Sequence, residues 1–225
     1  MSTADPAAPA AWASIDRRGS VADLHGLDLD LGRRALVWMT PTAPALALGS
    51  AQRADSVDAL AAAAQGVAVT RRRSGGGGVL VVPGEMVWLD VVVPRGDRWW
   101  DDDVGRSMVW LGEVWGAALA DVGVASVVHP GAFERSPWSA TVCFAGVGSG
   151  EVLTPDRRKL VGISQRRTRR GARLQSMCHL VFRAEEMAGL MVDGPSAEAL
   201  AALVATAAVP AEALRARLEH HLQQR

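Results

Sequence analysis

Two features of the sequence have the residue types and spacing to do chemistry: a run R-R-R-S-G-G-G-G at 71–78 and a lysine at 159. In the run, glycines without side chains let a backbone come close to a ligand and aim its N–H groups at it. The guanidinium groups of Arg71 and Arg72 can pair with carboxylate or phosphate. The run is not a Walker loop, because no Gly-Lys-Ser/Thr closes it. Nor is it a dinucleotide fingerprint, because it leads into the apolar V-L-V-V of 79–82, a strand pattern and not a helix. Lys159 stands out by composition: the chain has 23 arginines and this single lysine. Ammonium differs from guanidinium as a compact point charge that can lose its proton, so a position that keeps Lys against such a bias is a candidate for chemistry. The plain alternative is a surface cation that escaped the bias.

The scaffold that must position these residues is bounded by composition. At 225 residues, 49% of them hydrophobic, the chain suits one compact unit. Its 24 basic and 24 acidic side chains give zero net charge, which argues against a whole-molecule attraction to nucleic acid or membrane. Two cysteines, Cys143 and Cys178, are too few for a disulfide framework, and Cys178 lies in an apolar strand pattern that reads as core. No run reaches the roughly 18 apolar residues of a membrane span. Residues 1–14 are Ala/Pro-rich without the basic and apolar regions of a signal peptide, so they read as a disordered tail on a cytoplasmic protein.

Hydrophobic patterning predicts a mixed α/β chain. Strands are expected at 35–40, 45–49 and 67–70, with a helix over 56–65 capped by Ser56. Residues 79–82 and 86–93, broken at Pro83-Gly84, read as a hairpin-like pair. Asp101, Asp102 and Asp103 precede a helical pattern of Val104, Met108, Leu111, Trp115, Ala118 and Val122, where carboxylates serve as caps more readily than as a metal cluster. Further strands are expected at 124–128, 140–144, 151–153, 160–165 and 174–182. Residues 184–225 read as two or three helices broken at Pro195 and Pro210.

The run R-R-R-S-G-G-G-G-V at 71–79 resembles the R-R-x-S/T-G-G-G-x-V signature of the lipoate and biotin protein ligase superfamily. R-K-L-V-G-I-S-Q-R-R at 158–167 resembles that family's lysine motif, K-x-x-G-S-A-Q-R, and L-G-S-A-Q at 48–52 resembles the L-G-x-x-Q segment of its lipoate branch. The three occur in the family's order. The resemblance implies an α/β (α+β) fold of mixed sheets with flanking helices, a catalytic domain over 15–183, and C-terminal helices over 184–225 packed on it. It implies a cleft for lipoate or octanoate in which Arg71, Arg72, Ser74, Gly75, Gly76 and Gly77 cradle the acyl carboxylate or adenylate. Lys159 would polarise the acyl carbonyl, and Gly162 and Gln165 would shape its strand beside the ligand.

Two chemistries are implied. Ligases activate the acid with ATP and Mg²⁺, whereas octanoyltransferases take the acyl group from an acyl carrier protein onto a cysteine and need no cofactor; the acceptor in both is a lysine of a lipoyl domain. Cys143, 16 residues before Lys159, resembles the nucleophile of a transferase subfamily, and an ammonium nearby favours a reactive thiolate. A small buried hydrophobe on T-V-C-F-A is the other reading of Cys143. The chain departs from the ligases in having Gly150-Glu151 where they show Asn-Asp near nucleotide and metal, Val81 where they show His, and His179 out of register with their later His-Gly. No metal site is expected on the residues alone. An inactive acyl-binding homologue is therefore the alternative. The arginines between 157 and 173 allow nucleic-acid binding as a lesser one, although no aromatic residues interleave them.

Overall fold

In the computed structural model, which describes residues 11–225, the longest apolar runs of the sequence lie side by side as strands. In chain order the elements are β1 (Ala13–Gly19), α1 (Val21–Gly26), β2 (Ala35–Pro41), β3 (Ala45–Leu48), α2 (Ala59–Ala64), β4 (Ala68–Arg71), β5 (Val79–Val81) and β6 (Met86–Pro94). They continue with α3 (Val109–Asp121), β7 (Val127–Val128), β8 (Val152–Leu153), β9 (Lys159–Arg167), β10 (Gly171–His179), α4 (Ala184–Gly189), α5 (Ala197–Ala201) and α6 (Ala211–Gln223). Seven strands form one sheet in the order β1-β2-β6-β10-β9-β8-β7, and three form a second, β4-β3-β5. The large sheet is antiparallel apart from the β1–β2 pair; in the small one β3 runs parallel to β4 and antiparallel to β5.

The two-residue period of a strand sorts side chains into layers. From β6 and β10, Leu89, Val91, Leu174 and Cys178 pack with Leu111 and Trp115 of α3 and with Leu214 and Leu218 of α6. From the opposite face of the same strands, Trp88 and Met177 pack with Ala45, Ala47 and Val81 of the small sheet. Helices α3 and α6 thus cover one face of the large sheet and the small sheet covers the other. Each large apolar side chain buried this way contributes on the order of 1.5–3 kcal/mol. Helix α3 follows its apolar stripe, with Leu111, Val114, Trp115, Ala118 and Leu119 all buried. The acidic run does not cap α3, which has no side-chain cap; Asp103 Oδ1 instead accepts from the N–H groups of Gly105 at 2.8 Å and Arg106 at 3.3 Å, where the chain enters the short 3₁₀ turn ahead of the helix. Val104, expected on the stripe, is exposed.

Several sequence expectations change. Residues 79–82 and 86–93 are not a hairpin: β5 pairs with β3, whereas β6 pairs with β2 and β10. The Pro83-Gly84 turn, with Gly84 at φ 78, passes the chain from one sheet to the other. Residues 140–144 are not a strand, because Val142 N–H folds back onto Trp138 C=O at 2.8 Å and 143–145 close a 3₁₀ turn. Helix α2 is capped by Asp58, whose Oδ1 accepts from Leu60 and Ala61, while Ser56 lies in a preceding 3₁₀ turn. The strand expected over 124–128 shrinks to Val127–Val128, since Val124 N–H still bonds Leu119 C=O at the end of α3. β10 stops at His179 because the N–H groups of Leu180 and Val181 turn to Glu85 C=O. Of the tail expected over 1–14, residues 1–10 lie outside the described residues. Trp12 is 5% exposed and stacks on Trp110, and Ala13 opens β1, so burial of the indole orders the chain from there.

Candidate active site

Between the two sheets lies a narrow apolar cavity of about 50 Å³, lined among others by Arg72, Cys143, Phe144, Glu151, Gly162 and Gln175. The glycine run lies between two of the lining residues, Arg72 and Val79, and its glycines serve different ends. A Cβ on Gly77 would lie 2.5 Å from Val142 N, and one on Gly49 would lie 1.8 Å from Gly76 O, so these positions are needed for backbone to pass backbone. Gly76 has φ +96, whereas a Cβ on Gly75 would meet nothing within 4 Å. The run is tied to the turn beyond Thr141 by Gly78 N–H to Thr141 C=O at 2.8 Å and Cys143 N–H to Gly78 C=O at 3.0 Å.

The two arginines hold the loop itself. Arg71 Nη1 donates to the carbonyls of Gly49, Ser50 and Gln52 at 2.9, 3.2 and 2.5 Å. Arg72 is buried and donates to Ala47 C=O at 3.0 Å, Ser74 Oγ at 3.1 Å and Gly75 C=O at 2.7 Å. Ser74 Oγ in turn donates to Gln175 Oε1 at 3.4 Å. Arg72 therefore reaches the cavity with neutral oxygens as its partners.

Lys159 opens β9 with its backbone tied to residues 203–205, its N–H to Leu203 C=O at 2.8 Å and its C=O to Ala205 N–H at 2.9 Å. The side chain is 1% exposed. Its Nζ donates to Cys143 C=O at 3.1 Å and Gly146 C=O at 2.9 Å, lies 2.6 Å from Glu151 Oε2, and sits 5.0 Å from the Phe144 ring centroid. An ammonium has three N–H bonds, and here all three are taken. Glu151 is equally occupied: Oε2 also accepts from Gly148 N–H at 2.6 Å, and Oε1 accepts from Ile163 N–H at 2.9 Å. Cys143 is half-buried, and its Sγ would lie 3.4 Å from a Cβ on Gly76. Lys159 thus meets Cys143 through the backbone carbonyl, with the thiol on the cavity side.

Of the expected site residues, Arg72, Cys143 and Gly162 line the cavity; Ser74 and Gly76 adjoin Arg72 and Cys143, Arg71 ties down residues 49–52, and the buried Lys159 is not part of the lining. Gln165 is elsewhere. It lies three positions beyond Gly162, an odd interval that puts the two on opposite faces of β9. Its amide donates to Val104 C=O at 2.7 Å and Ser107 Oγ at 3.0 Å, on the side of α3. Gly162 faces the Phe144 ring, which a Cβ there would meet at 3.2 Å.

Sequence reasoning missed two groups at the site. Glu151 figured there only as a departure from a motif, yet it clamps Lys159. His25, on α1, lines the cavity with its ring 4.7 Å from that of Trp88. Burial, then the charges of Arg72 and Arg173, push its pKa down to about 3, so the imidazole is neutral. Gln175 Nε2 lies 3.3 Å from His25 Nδ1 and 3.3 Å from Asp90 Oδ2, which makes Nδ1 the acceptor. Below it, Arg173 pairs with the fully buried Asp90 at 2.5 Å. No spacing in the sequence links residue 25 to residues 72, 90 and 173; only the packing of α1 over the large sheet does.

The basic patch is threaded with carboxylates. Arg157 pairs with Glu134, Arg158 with Asp156, Arg170 with Asp30 and Arg173 with Asp90, while Arg167 stacks 4.0 Å over Trp100. Among the described residues no group of three or more His, Cys, Asp and Glu is placed to hold a metal ion, and no helix is long and apolar enough to cross a membrane.

A family model described as the lipoyl protein ligase A/B catalytic domain matches residues 29–210. None of the curated proteins is similar enough in sequence to match the chain. Among solved structures, the fold resembles a bi-partite lipoate protein ligase from Thermoplasma acidophilum, with TM-score 0.73 and 16% identity over 95% of this chain and 83% of that one. It also resembles a lipoate-protein ligase A bound with ATP, with TM-score 0.73 and 16% identity over 96% and 85%. A Thermoplasma acidophilum protein with bound lipoic acid gives TM-score 0.72 and 18% identity over 96% and 86%.

Proposed function

The chain belongs to the lipoyl protein ligase A/B catalytic domain family, and from that premise we propose that it transfers an octanoyl or lipoyl group to a lysine of a lipoyl domain. The observation that carries the reading is convergence: Arg72 ahead of the glycine run, Cys143, and Gly162 of the strand that Lys159 opens line one apolar cavity between two sheets. Arg72 and the open backbone at Gly75 flank the entering acyl group. Lys159 polarises its carbonyl once one of the ammonium's three protein bonds is exchanged for it.

The thiol on the cavity side supports a thioester route. The Cys143 thiolate attacks the carbonyl of an octanoyl thioester and the carrier thiol leaves. The acceptor lysine amine then attacks the cysteine thioester, forming the amide and returning the thiol. A ligase route is the second reading, supported by the ATP-bound relative. At the position where the resemblance leads one to look for a Mg²⁺ ligand, both Glu151 oxygens already accept hydrogen bonds, so these residues do not fit the metal as they stand.

Intact mass measurement separates the readings. With octanoyl-carrier, the wild-type protein is expected to gain one octanoyl mass that hydroxylamine removes, and Cys143→Ser to gain none. Transfer driven by octanoate plus ATP and retained in Cys143→Ser would establish the ligase route instead. If neither donor supports transfer to a lipoyl domain, an acyl-binding protein without transferase activity becomes the better account.

A further inference from the structure

The turn 143–146 carries the thiol that the proposed reaction uses, and little of its own hydrogen bonding fixes it. Within the turn, Ala145 N–H reaches Val142 C=O at 3.1 Å and Gly146 N–H reaches Cys143 C=O at a long 3.4 Å. The firmest hold on its carbonyls comes from outside, from the single ammonium of Lys159, which bonds the C=O groups of Cys143 and Gly146 at the two ends of the turn. That ammonium is in turn held by Glu151. The carboxylate cannot swing away freely, because it also takes the N–H of Gly148, two residues beyond the turn, and the N–H of Ile163 on β9. Glu151 stands just before β8, where its Oε1 meets a backbone donor of β9 beyond the last β8–β9 pair at Val152. A charge-assisted contact of 2.6 Å with two supporting backbone donors is the strongest link in this chain of contacts.

We propose that Glu151 is the positioning residue of this site: by docking the Lys159 ammonium it fixes the turn 143–146, and with it the Cys143 thiol at the cavity. The inference rests on the acyl-transfer reading for its purpose but not for its test. A carboxylate here neither touches the acyl group nor needs a metal; it sets where the nucleophile-bearing turn lies.

The sequence supplies its own reporters. Lys159 is the only lysine of the sequence, so a modified lysine reports on this position alone. Cys178 is fully buried, so a thiol reagent reads Cys143 in the folded protein. Reductive methylation followed by peptide mass spectrometry is expected to find Lys159 protected in the wild type. In Glu151→Gln it is expected to react about tenfold faster or more, as removal of one partner of a buried pair loosens the other. The alkylation rate of Cys143 is expected to change alongside, with Cys178 still unmodified, and Glu151→Asp to restore both partly. Loss of a merely structural contact would instead expose Cys178 as well. If Glu151→Gln fails to fold, the wild type and Glu151→Asp decide. A Lys159 that reacts as fast in the folded wild type as in the unfolded protein overturns the proposal, and so does unchanged protection of Lys159 and Cys143 in whichever variant folds. Because no acyl donor is present in these measurements, their failure is distinct from failure of the transfer reading.

Discussion

At the scale of single residues, the site is built by burying polar groups and then accounting for nearly all of them. Lys159 and Glu151 are buried together, and removing one would leave the other's charge buried without its counter-ion, at a cost of about 3–5 kcal/mol. His179 is the exception. It is fully enclosed, its ring 4.5 Å from Phe144 and 5.3 Å from Phe182, and its Nε2 has no hydrogen-bond partner among the described residues. Burial pushes its pKa from 6.5 down to about 4, with Lys159 acting in the same direction and Glu85 against it. The sign follows. The unfolded chain takes a proton near pH 6.5 that the folded chain refuses until about pH 4, so this histidine's contribution to stability is complete above 6.5 and is lost as pH falls toward 4. His25 acts in the same direction over a wider window, down to about pH 3. Thermal unfolding of His179→Leu at pH 7 and pH 4.5 should therefore show a smaller acid loss than the wild type, by on the order of 2 kcal/mol. At pH 7 the variant should be no less stable by more than about 1 kcal/mol, since an unpaired buried nitrogen is removed with the ring. An acid loss equal to that of the wild type would show that His179 is protonated in the folded protein.

At the scale of elements, the glycine run is a crossing point of backbones more than an open cradle. The R-R-R-S-G-G-G-G pattern told of close approach but not of what approaches, and two of the partners prove to be Gly49 and the turn at Thr141 and Val142. The glycines therefore separate by experiment. Gly77→Ala places a methyl group 2.5 Å from backbone and should destabilise by about 1–3 kcal/mol, the usual cost of overpacking. Gly75→Ala meets open space and should leave the melting temperature almost unchanged, while reporting on any ligand that comes within reach of that position. Equal losses of stability in the two variants would mean that the run is uniformly packed. What was legible here was local. The interval of three between Gly162 and Gln165 already implied opposite faces once the segment was read as a strand. A Pro-Gly turn, by contrast, signals a change of direction without saying whether the next strand pairs with the last, so the passage from β5 into another sheet could not be read at Pro83-Gly84. The C-F pair at 143 carried a strand-like composition, but its pairing stops at a single bridge between Val142 and Gly78, because Val142 N–H folds back on Trp138 C=O and Ala145 N–H on Val142 C=O.

At the scale of the whole molecule, two elements that flank residues 29–210, β1 and α6, meet each other on the family-matched part of the fold. Arg215 of α6 reaches Asp16 of β1 through both guanidinium nitrogens, at 2.6 and 3.0 Å, and lies 4.6 Å over the Trp38 ring; Gln223 donates to Trp12 C=O at 3.2 Å. Beneath these contacts, Leu214, Leu218 and Leu222 are fully buried against the same cluster as Trp115 and Leu119. The polar contacts and the apolar ones are not equal in weight. The Asp16 carboxyl is largely exposed, and although the hydrogen bond from Arg215 holds its pKa below the usual range, solvent screening limits such a pair to about 1 kcal/mol or less. Leu218 is enclosed on all sides, and truncating a leucine so placed costs about 2–5 kcal/mol. Leu218→Ala should accordingly lower the unfolding free energy several times more than Asp16→Ala. Because α6 covers the face of the sheet opposite the cavity, the folded fraction of Leu218→Ala should keep the wild-type protection of Lys159 and the wild-type alkylation rate of Cys143. The core on that side then holds the sheet without shaping the site. Should Leu218→Ala instead change Cys143 reactivity while the protein remains folded, the sheet would be transmitting strain from one face to the other, and the separation between supporting layer and reacting layer would not hold.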